Sequence, residues 1–372
     1  MNILIFNWQD IKNPLAGGAE VHLHEVFSRI AKMGHEVTLY CSSFKGSKRE
    51  EVINGIRVIR EGGRYLFNFR VPYRYVTTFA RERHDIVIDD MNKIPFFTPL
   101  FVRSPLYIIT HHLFKKSIFL EVAWPLALYV YLMEKAGFNL CRSRNIPFIV
   151  GSPSTKEELL EIGFAPAHVD IINYCVDHAV HRPDPSVRSK TPLIGYFGRL
   201  KKYKSIEQLL HAFCLVRNSV ADLSLVVVGE GDNRASLESL SRELGISDSV
   251  RFTGFVDEQE KVRWLQKVWF AVNTSSKEGW GLTVIEANAC GTTVIASDVP
   301  GLRDAVKNDI TGLLYEFGNV QDLAEKIHFL LDDEGLRRRL ARDAFNWAST
   351  FDWDAAAKHT LELLQQRVKA YS

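Results

Sequence analysis

Short β-branched and aliphatic runs alternate with longer stretches of helical periodicity along most of this chain. Residues 3–6 read as a strand, followed by a glycine-rich loop and an amphipathic helix over about 19–32. Further strands are predicted at 36–40, 56–59, 85–88, 106–109 and 147–150. Near-continuous apolar strands spaced by helices are the mark of a parallel sheet with crossover helices. The pattern breaks at 181–192, HRPDPSVRSKTP, which has three prolines and no apolar run, the signature of a linker. It restarts with a strand at 193–197, a helix at 204–217, a strand at 223–228 and a helix at 234–244, then strands at 251–253, 269–272 and 293–296. The expectation is an α/β protein of two similar units: 1–180, a linker at 181–192, and 193–350, with a last helical segment at 351–372. Open α/β sheets bind ligands beyond the carboxyl ends of their strands. Motifs that follow strands in both halves should therefore face a cleft between the units.

The composition supports this picture. The chain has 372 residues, enough for two domains with full cores, and 46% hydrophobic against 24% charged residues describes a folded protein. A net charge of +2 gives no reason to expect nucleic acid as a partner. The five cysteines, at 41, 141, 175, 214 and 290, form no CxxC pair, which suggests buried thiols in a reducing, cytoplasmic setting and neither a disulfide framework nor a zinc site. The chain runs straight into a strand at 2–6 without a signal-peptide pattern. The apolar run 122–133 is too short to span a bilayer, which leaves a core helix or an interfacial segment.

Chemistry concentrates in the segment 275–301, SSKEGWGLTVIEANACGTTVIASDVPG. Glu278 and Glu286 lie eight positions apart, separated by a Gly279–Gly281 turn that opens a helix. A loop-to-helix junction offers unpaired N–H groups and the positive end of a helix dipole to an anion. A carboxylate on either side can accept hydrogen bonds from hydroxyls. Phosphate and polyol together describe a nucleotide sugar. Three other segments follow strands. NPLAGGAEVHLHEV, 13–26, carries Gly17 and Gly18, which let backbone approach a ligand. YFGRLKKYKSIEQLL, 196–210, places Arg199 and Lys204 around a turn into a helix, and both suit a diphosphate, whereas Lys201 and Lys202 read as solvated surface. ITHHLF, 109–114, ends a strand with His111 and His112, candidate donors to substrate. VVVGEGDNRASL, 226–237, lacks the third glycine and the acidic partner of a dinucleotide fingerprint.

Taken in order, these motifs resemble the retaining glycosyltransferases of family 4. EGWGLTVIEANACG resembles the family's E-x7-E segment, GRLKKYK its GRL-x3-K motif and AGGAE its GG-x-E loop, while FDWD at 351–354 resembles its aromatic-Trp-acid sequence before the last helix. The resemblance implies the GT-B fold: two facing Rossmann-like domains with parallel sheets and an inter-domain cleft, the last helix crossing back to the first domain. It implies roles residue by residue. Gly17 and Gly18 would lend backbone to the diphosphate or acceptor. Arg199 and Lys204 would neutralise the departing diphosphate. Glu278 would hold the sugar hydroxyls and Glu286 the ribose. Gly281 with the N–H groups of Leu282 and Thr283 would cap the terminal phosphate, and His111 would contact the sugar. No metal and no cofactor beyond the nucleotide-sugar co-substrate are implied. The chain departs from the family at Cys175, where a turn glycine is usual, and at Ser205, where glycine often follows the motif lysine.

The implied reaction is transfer of a hexose to an acceptor hydroxyl by front-face substitution. For the acceptor, the segment 64–75, RYLFNFRVPYRY, has three arginines, five aromatics and no acid, and Arg57, Arg60, Arg81 and Arg83 flank it. With Phe96, Phe97 and the 122–133 run, it suits an anionic membrane surface or a lipid-linked acceptor. The corresponding location is cytoplasmic, peripheral on the inner face of the membrane. Two rival readings are a nucleotide-sugar epimerase on the same fold and a non-catalytic nucleotide-sugar-binding module.

Overall fold

The computed structural model describes residues 1–63, 66–91, 93–120 and 122–371. These fall into two compact units, Met1–Tyr174 with Trp353–Ser372, and Cys175–Asp352.

In the first unit the chain runs β1 (Asn2–Phe6), α1 (Gly18–Lys32), β2 (Glu36–Cys41), β3 (Glu50–Ile53), β4 (Ile56–Arg60), α2 (Phe67–Thr77), β5 (Ile86–Met91), β6 (Leu106–Thr110), α3 (Trp124–Ser143), β7 (Phe148–Val150), α4 (Pro153–Glu161) and β8 (Val169–Ile171). The strands form one sheet in the order β3-β4-β2-β1-β5-β6-β7-β8. Every pair is parallel except β3–β4. Central strands are buried along their length, as the apolar runs require when helices cover both faces.

The second unit runs β9 (Leu193–Phe197), α5 (Ile206–Arg217), β10 (Ser224–Val228), α6 (Arg234–Glu243), β11 (Val250–Gly254), α7 (Glu258–Lys267), β12 (Phe270–Asn273), α8 (Leu282–Ala289), β13 (Val294–Ser297), α9 (Leu302–Ala305), β14 (Gly312–Tyr315), α10 (Val320–Asp332) and α11 (Glu334–Ala348). Its sheet is fully parallel, in the order β11-β10-β9-β12-β13-β14. The chain then returns to the first unit as α12 (Trp353–Tyr371), where Asp354 pairs with Arg29 of α1 at 2.6 Å.

Three strands, β3, β8 and β14, are absent from the sequence pattern. The β3–β4 hairpin turns through Asn54 and Gly55, with φ of 48° and 89°. An Asn-Gly pair between two β-rich runs is the strongest short hairpin signal, so this element was readable. β8 and β14 are too short to show a period. The division between units falls after Tyr174, and 181–192 is part of the second unit. That segment is tied down by Arg188, whose guanidinium donates to the carbonyls of Val268 and, at 2.9 Å, Gly291, and to Thr292 Oγ1 at 2.9 Å. A proline-rich stretch without periodicity looks like a linker even when side chains far along the chain anchor it.

Both sheets have a switch point. In the first, strands after β1 are added on one side through β2 and on the other through β5; in the second, β10 and β12 flank β9. Crevices for ligands open beyond the carboxyl ends of strands at such points. The loops after β1, β9 and β12 carry three of the four motifs singled out above.

Candidate functional site

In the second unit, β9 ends at Phe197 and opens into the 198–205 loop, which lies backbone to backbone on the loop after β10. A Cβ at Gly229 would stand 1.9 Å from the Gly198 carbonyl oxygen, and one at Gly231 would stand 2.2 Å from that of Leu200. This close approach, sealed by the Leu200 N–H donating to the Glu230 carbonyl at 2.9 Å, is the physical reason for the glycines of VVVGEGDN. The loop then places Lys204. The Lys204 carbonyl accepts from Thr274 Oγ1 at 2.9 Å, and the Tyr203 carbonyl accepts from the Ser276 N–H at 2.8 Å. The loops after β9 and β12 are thereby locked together.

That lock brings Lys204 and Glu278, 74 positions apart in sequence, into an ion pair whose side chains are only 13% and 17% exposed. Ser275 Oγ donates to the same Glu278 Oε1 at 2.7 Å. Burial pushes the Lys204 ammonium toward neutrality, but the Glu278 carboxylate outweighs this and holds its pKa above the ordinary lysine value. Glu278 itself rests on Gly301: a Cβ there would lie 2.3 Å from the Glu278 carbonyl oxygen. Arg199 is exposed on the 198–205 loop, Lys201 pairs with Asp232 at 2.8 Å, and Lys202 is exposed.

Ser205, one of the two departures from the family pattern, has φ 49° and ψ 40° with no side-chain cap bond. A left-handed conformation costs a residue with a Cβ roughly 1–2 kcal/mol, partly offset by the roughly 0.5–1 kcal/mol entropy cost of glycine. Ser205→Gly should therefore raise the unfolding free energy by about 0.5 kcal/mol, measured by urea denaturation. Cys175, the other departure, is buried and is not among the residues with positive φ, so its backbone makes no demand for glycine.

Gly281 (φ 88°) turns the chain into α8, whose first N–H groups, at Leu282 and Thr283, have no intrahelical acceptor. One turn further, Glu286 is buried. Its Oε1 lies 2.9 Å from Lys261 Nζ of α7, while its Oε2 is buried with no hydrogen-bond partner. Lys261 also reaches Glu258 Oε1 at 2.9 Å, and His181 Nε2 stands 3.0 Å from that same oxygen. Burial raises the Glu258 pKa, but His181 and Lys261 together bring it down to about 2. His181, Glu258 and Glu286 bring one ligand-type atom each within 4.8 Å of one another, a spacing a metal ion could bridge. The ammonium of Lys261 already supplies positive charge to both carboxylates, which makes the group a salt-bridge network.

In the first unit, α1 is capped by Gly17, whose N–H donates at 2.7 Å to the carboxylate of Glu20. That N–H is therefore taken up by Glu20 in the helix's own first turn and is not on offer to a diphosphate; Gly18 begins the helix. His111 follows β6 and is buried. Its Nε2 lies 2.8 Å from Asp90 Oδ1 at the end of β5, and the Tyr174 hydroxyl engages its Nδ1. Burial pulls the His111 pKa down, yet the Asp90 carboxylate beside it wins and holds it above the usual histidine value. With both ring nitrogens engaged, donation from His111 to a sugar hydroxyl requires Asp90 or Tyr174 to give way. Asp90 Oδ2 is buried and has no hydrogen-bond partner. His22 stacks on Tyr174 with ring centroids 4.5 Å apart, and burial drives its pKa down to about 3.

The sequence reading missed Lys261, His181, Asp90 and Tyr174. Lys261 sits in the helical pattern EQEKVRW with Glu258 three positions before it, a spacing that signals an ordinary surface pair. Its second partner, Glu286, is reached only through the packing of α7 on α8. One arginine is corrected. Arg60 is fully buried against Asp10 and does not belong to a basic surface.

Two protein-family models match the chain: "Glycosyltransferase Family 4" over residues 16–180 and "Glycosyl transferases group 1" over 177–347. The chain is 25% identical to a glycogen synthase of Mycobacterium tuberculosis over 394 residues, covering 98% of this chain and 94% of that protein. Among solved structures, the sucrose-phosphate synthase of Thermosynechococcus elongatus superposes with a TM-score of 0.83 at 22% identity, covering 99% of both chains. The Anabaena protein Alr3699/HepE, solved in complex with UDP-glucose, superposes with a TM-score of 0.78 at 18% identity over 98% of this chain and 100% of that one. With two consecutive family models running from residue 16 to residue 347 and an α/β architecture shared across the chain's length, this protein belongs to the glycosyltransferases, as a family 4-like enzyme of the GT-B fold.

Proposed function

We propose that this enzyme moves a hexose from a nucleoside-diphosphate sugar to an acceptor hydroxyl with retention of anomeric configuration and without a metal. The observation that carries the reading is the arrangement around the N-terminus of α8. Two carboxylates flank that terminus, Glu278 gripped by Lys204 and Glu286 gripped by Lys261, at the switch point of the second sheet. The unpaired N–H groups at Leu282 and Thr283 take the terminal phosphate, with Arg199 and Lys204 supplying the countercharge a metal would otherwise bring. Glu278 accepts from the sugar hydroxyls. Glu286 accepts from the ribose through Oε2, the buried oxygen without a partner. His111 is assigned the contact with a sugar hydroxyl, made when Asp90 or Tyr174 gives way. With Glu278 used for hydroxyl binding, no second carboxylate is assigned as nucleophile, so the acceptor attacks from the face the diphosphate leaves. Similarity to a protein solved in complex with UDP-glucose supports the donor class. The acceptor is a lipid-linked or glycan hydroxyl, and the enzyme works in the cytoplasm at the inner face of a membrane. Among the described residues no helix is long and apolar enough to cross one.

Incubation with a panel of UDP-, GDP- and ADP-sugars tests the reading. Release of nucleoside diphosphate marks a transferase. An isomerised donor marks an epimerase, binding alone marks a module, and either would overturn the proposal. On this reading Glu286→Gln raises the donor KM by about 10–100-fold with a smaller change in kcat, because a charged acceptor for ribose is lost from ground and transition states alike. A donor lacking the ribose 2′- and 3′-hydroxyls should show no such difference between the two enzymes.

A further inference from the structure

We infer that α2 and the first half of α3 form a docking surface for an anionic lipid bilayer. α2 carries two apolar stripes. Phe67, Val71 and Tyr75 face the core, while Leu66, Phe69, Tyr73 and Val76, at the same helical spacing, are exposed, Phe69 by 72%. A helix that serves only to cover a sheet needs the first stripe alone. The start of α3 repeats the pattern. Ala127 and Val130 are buried, while Trp124, Leu126, Tyr129 and Leu132 are exposed, Trp124 by 67%.

The two helices belong to one layer. Both contribute to the same core against the first sheet, α2 through Phe67 and Val71 and α3 through Phe138 and Cys141. The 94–95 segment joins them. Asn68 Nδ2 of α2 donates to the carbonyls of Ile94 at 3.1 Å and Pro95 at 3.0 Å, and the Pro95 ring packs where a Cβ at Gly137 of α3 would approach within 2.4 Å.

Charge selects the occupant. Residues 66–81 contain no acid, and neither do 93–120 nor 122–133. Arg70 is exposed within the apolar stripe of α2, and Arg81 and Arg83 are exposed just beyond it, with the exposed Glu82 between them pairing with His84 at 3.4 Å. Arg74 is shared with Glu61 at 3.5 Å. Arg64, Tyr65 and Glu121 lie outside the described residues. Exposed aromatic and aliphatic side chains bordered by arginine match the headgroup–acyl boundary of an anionic bilayer. A second copy of this chain fits less well. A two-fold contact through this face would gather two copies of Arg70, Arg81 and Arg83 within one interface. The surface gives the lipid-linked acceptor of the proposed reaction a place on the first unit, and it rests on that reading only for the acceptor.

Co-sedimentation of the full chain with vesicles tests the surface. Wild type should pellet with phosphatidylglycerol-containing vesicles at low salt and far less with phosphatidylcholine alone or at high salt. Phe69→Ser with Tyr73→Ser should weaken binding by about tenfold or more, since each side chain removed takes apolar area out of the bilayer. Both side chains are exposed, so thermal midpoint and acceptor-free nucleoside diphosphate release should stay at wild-type values. The inference is overturned if wild type stays in the supernatant with anionic vesicles at low salt, or if the double variant binds as wild type does. It is equally overturned if wild type is a dimer that the double variant dissociates. Vesicle binding without donor turnover would count against the proposed reaction and leave the docking surface standing; the reverse result would do the opposite.

Discussion

Replacing Lys204 by alanine should lower kcat by about 10²–10³-fold, the usual cost of removing one preorganised group from a developing charge. Charge accumulates on the leaving diphosphate in the transition state. Lys204 is held on a braced loop, shielded from water, and kept protonated by Glu278. It therefore needs no reorganisation as that charge appears. A structural explanation for the loss has to be separated, because Lys204→Ala leaves the Glu278 carboxylate in a mostly buried place without its cation. Combining it with Glu278→Gln removes the stranded charge. The double variant should regain thermal stability and remain slow. Lys204→Arg should restore charge without full rate, since a planar fork does not replace a compact ammonium. Wild-type turnover in both Lys204→Ala and Glu278→Gln would sink the assignment of this pair.

Arg60→Met should destabilise the first unit by about 3–5 kcal/mol, the loss expected when one partner is taken from a buried ion pair. Arg60 and Asp10 side chains are 0% and 1% exposed, joined by two bonds of 2.6 and 2.8 Å, and Arg60 Nη1 also reaches Glu51 at 2.6 Å. The pair fastens the loop after β1, which leads to Gly17, to the end of β4. Burial raises the Asp10 pKa, but Arg60 and neighbouring donors bring it below the ordinary 3.8. A depressed carboxylate contributes stability that is present above 3.8 and lost as pH falls through the folded-state value. In Arg60→Met that acid-side contribution should disappear, and urea denaturation at neutral pH and at a series of pH values below 3.8 reads both effects. A midpoint unchanged at neutral pH would show that the pair contributes nothing.

Much of this protein is legible in its residues. Strands such as LYIIT and SLVVV are buried on both faces, so they appear as short, nearly unbroken apolar runs, and only length separates them from the longer apolar run at the start of α3. The glycines at 281 and 301 announce their positions because the backbone there has positive φ or touches another loop. The Asn54–Gly55 turn was equally readable and was missed, since its flanking runs carry charges that hide the two-residue period. Charge pairing is a different matter. Arg60, Arg70 and Arg81 look alike in sequence, yet one is sealed in a core and two face solvent.

By itself, the order of apolar runs, glycine turns and flanking charges determined two α/β units, the family and the residues around the start of α8. Backbone geometry writes these locally: strand period, helix start and positive φ depend on near neighbours in the chain. Only the tertiary structure decided which charges meet. It joined Lys204 to Glu278 and Lys261 to Glu286, gave His111 both Asp90 and Tyr174, hid Arg60, and left a second apolar stripe of α2 facing water. Each of these pairings spans a crossover or a loop packing. The energy that selects it comes from removing water around groups distant in sequence, and no local pattern records that.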